Sequence, residues 1–158
     1  MRRWIPFFAL LMALLLYDCT KSPDFKLVTL PDIGESYEAG PLTQVFLVGK
    51  LWEERLAYTY KNGAWKRIGG DGGPNTGNVS FQSDGTVKTH YRSKDLDSPE
   101  YEPDHFNTYS YSILPESHLL TIEGRGVYVT YPVSDKSFLL RLDNQLFLYS
   151  DVTGIMDF

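Results

Sequence analysis

The sequence predicts an all-β protein, most simply an up-and-down antiparallel β-barrel of about eight strands, with a two-sheet β-sandwich as the alternative. Three observations carry this. From Thr43 to Ser150 the chain is a succession of short runs rich in β-branched and aromatic residues, each bounded by a turn dipeptide. Aromatic residues make up 15%, with 11 Tyr and 9 Phe, and beyond the N-terminal apolar run no stretch of ten residues has helical periodicity. The runs follow one another without long crossovers, and closing such a sheet on itself removes its aggregation-prone edges.

Residues 1–18 read as a signal peptide. Arg2 and Arg3 form a basic start, and Trp4 to Tyr17 is an apolar run interrupted only by Pro6. Those 14 residues reach about 21 Å as a helix, short of the roughly 30 Å of a bilayer core. An uncleaved signal anchor is the alternative. Cys19, the single cysteine, follows directly, where it can form no intramolecular disulfide. Residues 19–42 read as a polar tether, Thr20 to Asp24, and an irregular lead-in punctuated by Pro31, Gly34, Gly40 and Pro41, with Phe25–Val28 as its one strand-like run.

The barrel domain is expected over 43–158, with turns at Asn62-Gly63, Asp84-Gly85, Gly124-Arg125-Gly126, Asp135-Lys136 and Asp143-Asn144. Between them the strands alternate. Val87, Thr89 and Tyr91 oppose Lys88, His90 and Arg92, and Tyr109, Tyr111 and Ile113 oppose Thr108, Ser110 and Ser112. Val127 to Val133 and Phe138 to Leu142 supply further core-facing sets. Loops fall over 69–78 and 94–105, where variable function is expected. The last residues, 151–158, fit either a short strand or a tail.

Two resemblances add to this reading. Leu16-Tyr17-Asp18-Cys19 resembles a bacterial lipobox, although Tyr17 and Asp18 stand where small residues are usual. The resemblance implies a diacylglycerol thioether on Cys19, cleavage before it and, with no Asp after Cys19, an outer-membrane lipoprotein facing the periplasm, with the cell surface as the alternative. Val79 to Thr86, Tyr109 to Ile113, Leu119 to Ile122, Phe138 to Leu142 and Leu146 to Tyr149 resemble the bacterial lipocalin-like lipoproteins. The likeness covers roughly 48–149 and departs from the family's Gly-x-Trp first strand at Gly49-Lys50-Leu51-Trp52. It implies a small β-barrel whose interior is able to hold an apolar ligand.

No chemistry-bearing constellation stands out. There is no Gly-x-Ser-x-Gly stretch, and His90, His105 and His118 lie in separate elements, where solvated surface positions are expected. Asp95, Asp97, Glu100, Glu102 and Asp104 crowd one loop, but Pro99 occupies the third ligand position of a calcium loop, so a solvated acidic loop is expected. Gly69 to Gly73 lacks the Lys-Ser/Thr of a phosphate cradle. Neither a metal nor a cofactor is therefore expected. The net charge of −5 and the lack of a basic stripe argue against nucleic acid or an anionic membrane surface as the main partner.

The aromatic set Trp52, Tyr58, Tyr60, Trp65, Tyr91, Tyr109 and Tyr111 is the candidate ligand-binding group, able to line a barrel for an apolar molecule or to stack on a sugar. The alternative is a core filled by those same side chains. The expectation is a non-enzymatic, membrane-anchored module with a small apolar ligand as possible cargo. The alternative is an envelope lipoprotein with a packed core that acts on a protein or glycan partner through its surface loops.

Overall fold

The computed structural model describes residues 25–70, 77–91 and 105–154. The signal sequence, Cys19, the tether and the acidic loop from Arg92 to Asp104 lie outside the described residues. The barrel prediction holds. Strands β3 (Trp52–Lys61), β5 (Asn78–Phe81), β6 (Thr86–Tyr91), β7 (His105–Leu114), β8 (Leu119–Ile122), β9 (Gly126–Ser134), β10 (Ser137–Leu142) and β11 (Gln145–Asp151) pair antiparallel in sequence order. Closure comes from β11 on β3, running from Gln145 opposite Thr59 to Asp151 opposite Trp52. A ninth strand, β4 (Ala64–Gly70), pairs with β3 beyond the reach of β5 and lies outside the closed set. Gly69 and Gly70, read from the sequence as loop, end this strand because their lack of side chains does not prevent backbone pairing with Ala57 and Leu56.

The turn chemistry works as read. Asn62 (φ 55°) and Gly63 (φ 79°) both adopt positive φ, which gives a two-residue β3–β4 turn the twist its strands need. Asp143 (φ 51°) does the same between β10 and β11.

Two differences from the sequence reading matter. The lead-in forms a hairpin, β1 (Leu27–Leu30) and β2 (Glu35–Glu38), whose four-residue strands are too short for their alternation to register as a pattern. Val28 and Leu30 are nonetheless fully buried, and Leu27 and Thr29 are exposed. Second, the segment after Thr43 begins with one helical turn, α1 (Gln44–Leu47), rather than a strand. Thr43 is extended and its hydroxyl accepts the amide of Phe46 at 3.2 Å, an N-cap that starts the turn.

These elements create two cores separated by the barrel wall. The first draws on every barrel strand, with Trp52, Phe81, Val87, Leu120, Ile122, Phe138 and Leu140 joined by Tyr109, Tyr111, Tyr128 and Tyr149, so it is the interior. The second contains Tyr58, Trp65, Tyr131, Leu139 and Leu146 beneath Val28 and Leu30, so it lies outside one wall under the β1–β2 hairpin. Phe138, Leu139 and Leu140 alternate between the two, which explains a β10 that is apolar on both faces. Each fully buried side chain of this size contributes about 1.5–3 kcal/mol of transfer free energy.

A bulge decides which aromatics go where. Leu148 stands opposite Leu56 and Tyr149 opposite Glu54, leaving Arg55 as an extra residue in β3. Trp52 before the bulge faces the interior, whereas Leu56, Tyr58 and Tyr60 after it face outward. Trp52 and Tyr58 are six positions apart, so an unbroken strand would have put both on one face.

Candidate functional site

The barrel is plugged at one end. Leu42 and Leu47 enter the interior core, Phe46 stacks on Trp52 with ring centroids 5.2 Å apart, and the Trp52 indole N–H donates to the Leu47 carbonyl at 2.9 Å. Lys50 lies 4.6 Å from the Phe46 ring and 5.0 Å from that of Trp52. A small-molecule site in this barrel must therefore open toward the other end.

A cavity of about 60 Å³ lies in the interior, between Val79, Thr89, Ile122, Tyr128, Leu140 and Tyr149. Small-molecule sites run to roughly 300–1,000 Å³, and a cavity of about 150 Å³ is needed to admit benzene. The space suits a few waters rather than an organic ligand. Its lining is not wholly apolar. Thr89 is 6% exposed and its hydroxyl has no hydrogen-bond partner among the described residues. Tyr149 faces Glu54 across the β11–β3 pair, and burial raises the Glu54 carboxyl above its ordinary range, with the Tyr149 hydrogen bond opposing that rise. Arg125, on the β8–β9 turn, holds its guanidinium 4.9 Å from the Tyr109 ring at the edge of this space.

A larger open groove, about 500 Å³, lies outside the plugged end between α1, the β5–β6 turn and the end of β7. The Gln44 side-chain amide donates to the Ser83 carbonyl at 3.0 Å, and the Tyr111 hydroxyl donates to the Gln82 carbonyl at 3.0 Å, fixing its walls. The Asp84 carboxyl on its edge is held below the usual carboxylate range by the Thr86 hydroxyl and amide. Val45 and Leu114, adjacent to lining residues, are 89% and 54% exposed. This surface offers hydrogen-bonding walls with apolar shoulders, the composition of a macromolecular contact rather than an enclosed pocket.

The aromatic set is divided. Trp52, Tyr109 and Tyr111 belong to the interior core, with Tyr111 also reaching the outer groove. Tyr58, Tyr60 and Trp65 pack on the opposite side of the wall with the β1–β2 hairpin. Tyr91 ends β6, and its side chain lies outside what is described. The Tyr58 hydroxyl donates to Asp32 at 3.1 Å, and burial is the main cause of its phenol's upward shift. No single surface collects these residues. Thr89 was legible as an inward position, but Tyr128, Tyr149, Gln44 and Pro115 carried no sequence signal of a site.

The three histidines occupy different elements, as read. His90 and His118 are half-buried rather than fully solvated, the first on β6 and the second in a left-handed conformation after the 3-10 turn Pro115–Ser117. Among the described residues no three His, Cys, Asp or Glu side chains gather in a way that would hold a metal ion. No known protein family, curated protein or solved structure matches this chain.

Proposed function

We propose that this chain is a lipid-anchored, non-enzymatic interaction module. It is a lipocalin-like barrel tethered through Cys19 to the outer membrane, on the periplasmic side, and it meets a protein or glycan partner through its outer surface. The observation that carries this reading is the filled interior. Trp52, Phe81, Phe138 and Leu120 are at most 1% exposed, and the remaining space is about 60 Å³. A barrel packed by its own side chains is a rigid frame for what lies outside it. The open groove beside α1, several times larger than the internal cavity, supports the same reading.

A small apolar ligand inside the barrel is the second reading, and one observation favours it. The Thr89 hydroxyl at the cavity wall is buried without a partner among the described residues, and buried hydroxyls are nearly always satisfied. Titration of the protein with an environment-sensitive apolar dye and a panel of long-chain amphiphiles, followed by tryptophan fluorescence, separates the two. The packed-barrel reading expects no saturable one-to-one binding. Stoichiometric saturation by any of them transfers the function to the interior.

A further inference from the structure

The described residues begin at a particular corner of the barrel. The Phe25 ring lies 4.7 Å from that of Tyr60 and 5.3 Å from that of Trp65, a residue pair one step from the β3–β4 turn at Asn62-Gly63. The Arg141 guanidinium covers the same ring at 4.8 Å and donates to the Asp143 carbonyl at the β10–β11 turn. The Phe25 carbonyl accepts the Tyr131 hydroxyl at 2.6 Å, so the entry point is fixed by packing and by a hydrogen bond.

Six residue steps separate Phe25 from Cys19. They span about 21 Å at full stretch and about 13 Å as a relaxed flexible coil. Along β3, Tyr60 to Trp52 is eight residues, about 26 Å of strand, and α1 packs beyond Trp52. The β3–β4 corner lies well inside the tether's reach, and α1 packs at the opposite end of β3.

That corner has the chemistry of a membrane contact. Within Lys61 to Gly70 stand Lys61, Lys66 and Arg67 and no acidic residue, in a chain of net charge −5. All three basic residues are exposed. Ile68 is the extra residue of a second bulge, between Gly69 opposite Ala57 and Arg67 opposite Tyr58, and it is 57% exposed. Asp32 is an acid on this side, accepting the Tyr58 hydroxyl that Arg67 also acts on, and Asp143 sits on the neighbouring β10–β11 turn. Basic side chains beside a membrane attachment gain from anionic headgroups, and an exposed apolar residue next to them adds burial at the interface.

We infer that the β3–β4 hairpin, beside the point where the tether leaves the fold at Phe25, rests on the anionic headgroup surface of the bilayer that holds Cys19. The α1 end and its groove then point away, toward the aqueous space. This inference rests on the lipid-anchored reading above.

The test uses the lipidated protein in vesicles of phosphatidylethanolamine and phosphatidylglycerol containing a headgroup-labelled quencher lipid. A fluorophore is placed at Ala64→Cys on the hairpin and, separately, at Val45→Cys on α1. Both positions are exposed, and Ile68→Cys and Glu116→Cys are the replacements if either variant folds poorly. The expected result is several-fold stronger quenching at Ala64 than at Val45, reduced by high salt. Equal quenching, or stronger quenching at Val45, overturns the orientation. Palmitate incorporation into the same samples reports the anchor separately: if Cys19 takes up no lipid, the anchored reading and this one fall together, whereas lipidated protein with reversed quenching refutes only the orientation.

Discussion

Leu47→Ala tests whether α1 is a plug built into the barrel core or a turn lying on its surface. Leu47 is fully buried, and its replacement removes buried carbon from a site that has little freedom to collapse. The turn is held at its start by the Thr43 cap, at its last residue by the Trp52 indole on the Leu47 carbonyl, and just past its end by the Val48–Phe81 bridge. Leu→Ala changes in cores cost about 2–5 kcal/mol, the larger losses falling where a cavity persists, so about 3–4 kcal/mol is expected here. That is a large fraction of the roughly 5–15 kcal/mol that holds a domain together. Val45→Ala, at a position 89% exposed on the same turn, is the control and should stay within about 0.5 kcal/mol of wild type. Urea unfolding of residues 20–158, followed by the fluorescence of Trp52 and Trp65, gives both numbers. A Leu47→Ala loss below about 1 kcal/mol, with unchanged native emission, would refute the plug.

Other consequences are equally direct. Folding raises the Glu54 carboxyl pKa, so the folded chain holds that proton more tightly. Its contribution is most favourable below the ordinary value of 4.5 and is lost as pH rises through the raised folded value. The stability of Glu54→Gln relative to wild type should therefore increase from acid toward neutral pH, and a flat or falling difference in urea midpoints contradicts the buried assignment. At Gly40 an added Cβ would meet the Pro132 ring at 2.9 Å, where Gly40 also donates to the Thr130 carbonyl, so Gly40→Ala should lift the β1–β2 hairpin from its wall at a cost of about 1–3 kcal/mol. Hydrogen exchange that stays slow in β1 and β2 of that variant would argue that the hairpin is not held there. Cys19→Ala should abolish palmitate incorporation and release the protein from the membrane fraction; retention would mean that another segment anchors it.

The barrel was legible because its signals are local. Asn62-Gly63 and Asp143-Asn144 announce tight turns through residues that tolerate positive φ, and the alternation through Val87, Thr89, Tyr109 and Tyr111 reports which side faces inward. Arg55 is different. Nothing in its own chemistry marks it as a bulge, since the extra residue is defined by what β11 presents opposite it. With that shift invisible, nothing in the sequence separated Trp52 from Tyr58, and the aromatic set was a single candidate group. The β1–β2 hairpin escaped notice for a related reason: its stability comes from covering Tyr131, Leu139 and Leu146, a surface that exists only once the barrel has closed. The basic residues of β4 were visible singly, yet their place beside Phe25 depends on β4 lying outside the closed set and on Phe25 packing against Tyr60 and Trp65.

The central claim is that a filled barrel works from its outside. The most direct measurement is native mass spectrometry of the lipid-anchored protein extracted in mild detergent, followed by denaturation and analysis of whatever is released. The packed-barrel account predicts a chain beginning at Cys19 that carries its covalent lipid and nothing else at stoichiometric level. A small apolar molecule released on denaturation, close to one per chain, would contradict it and place the function inside the barrel.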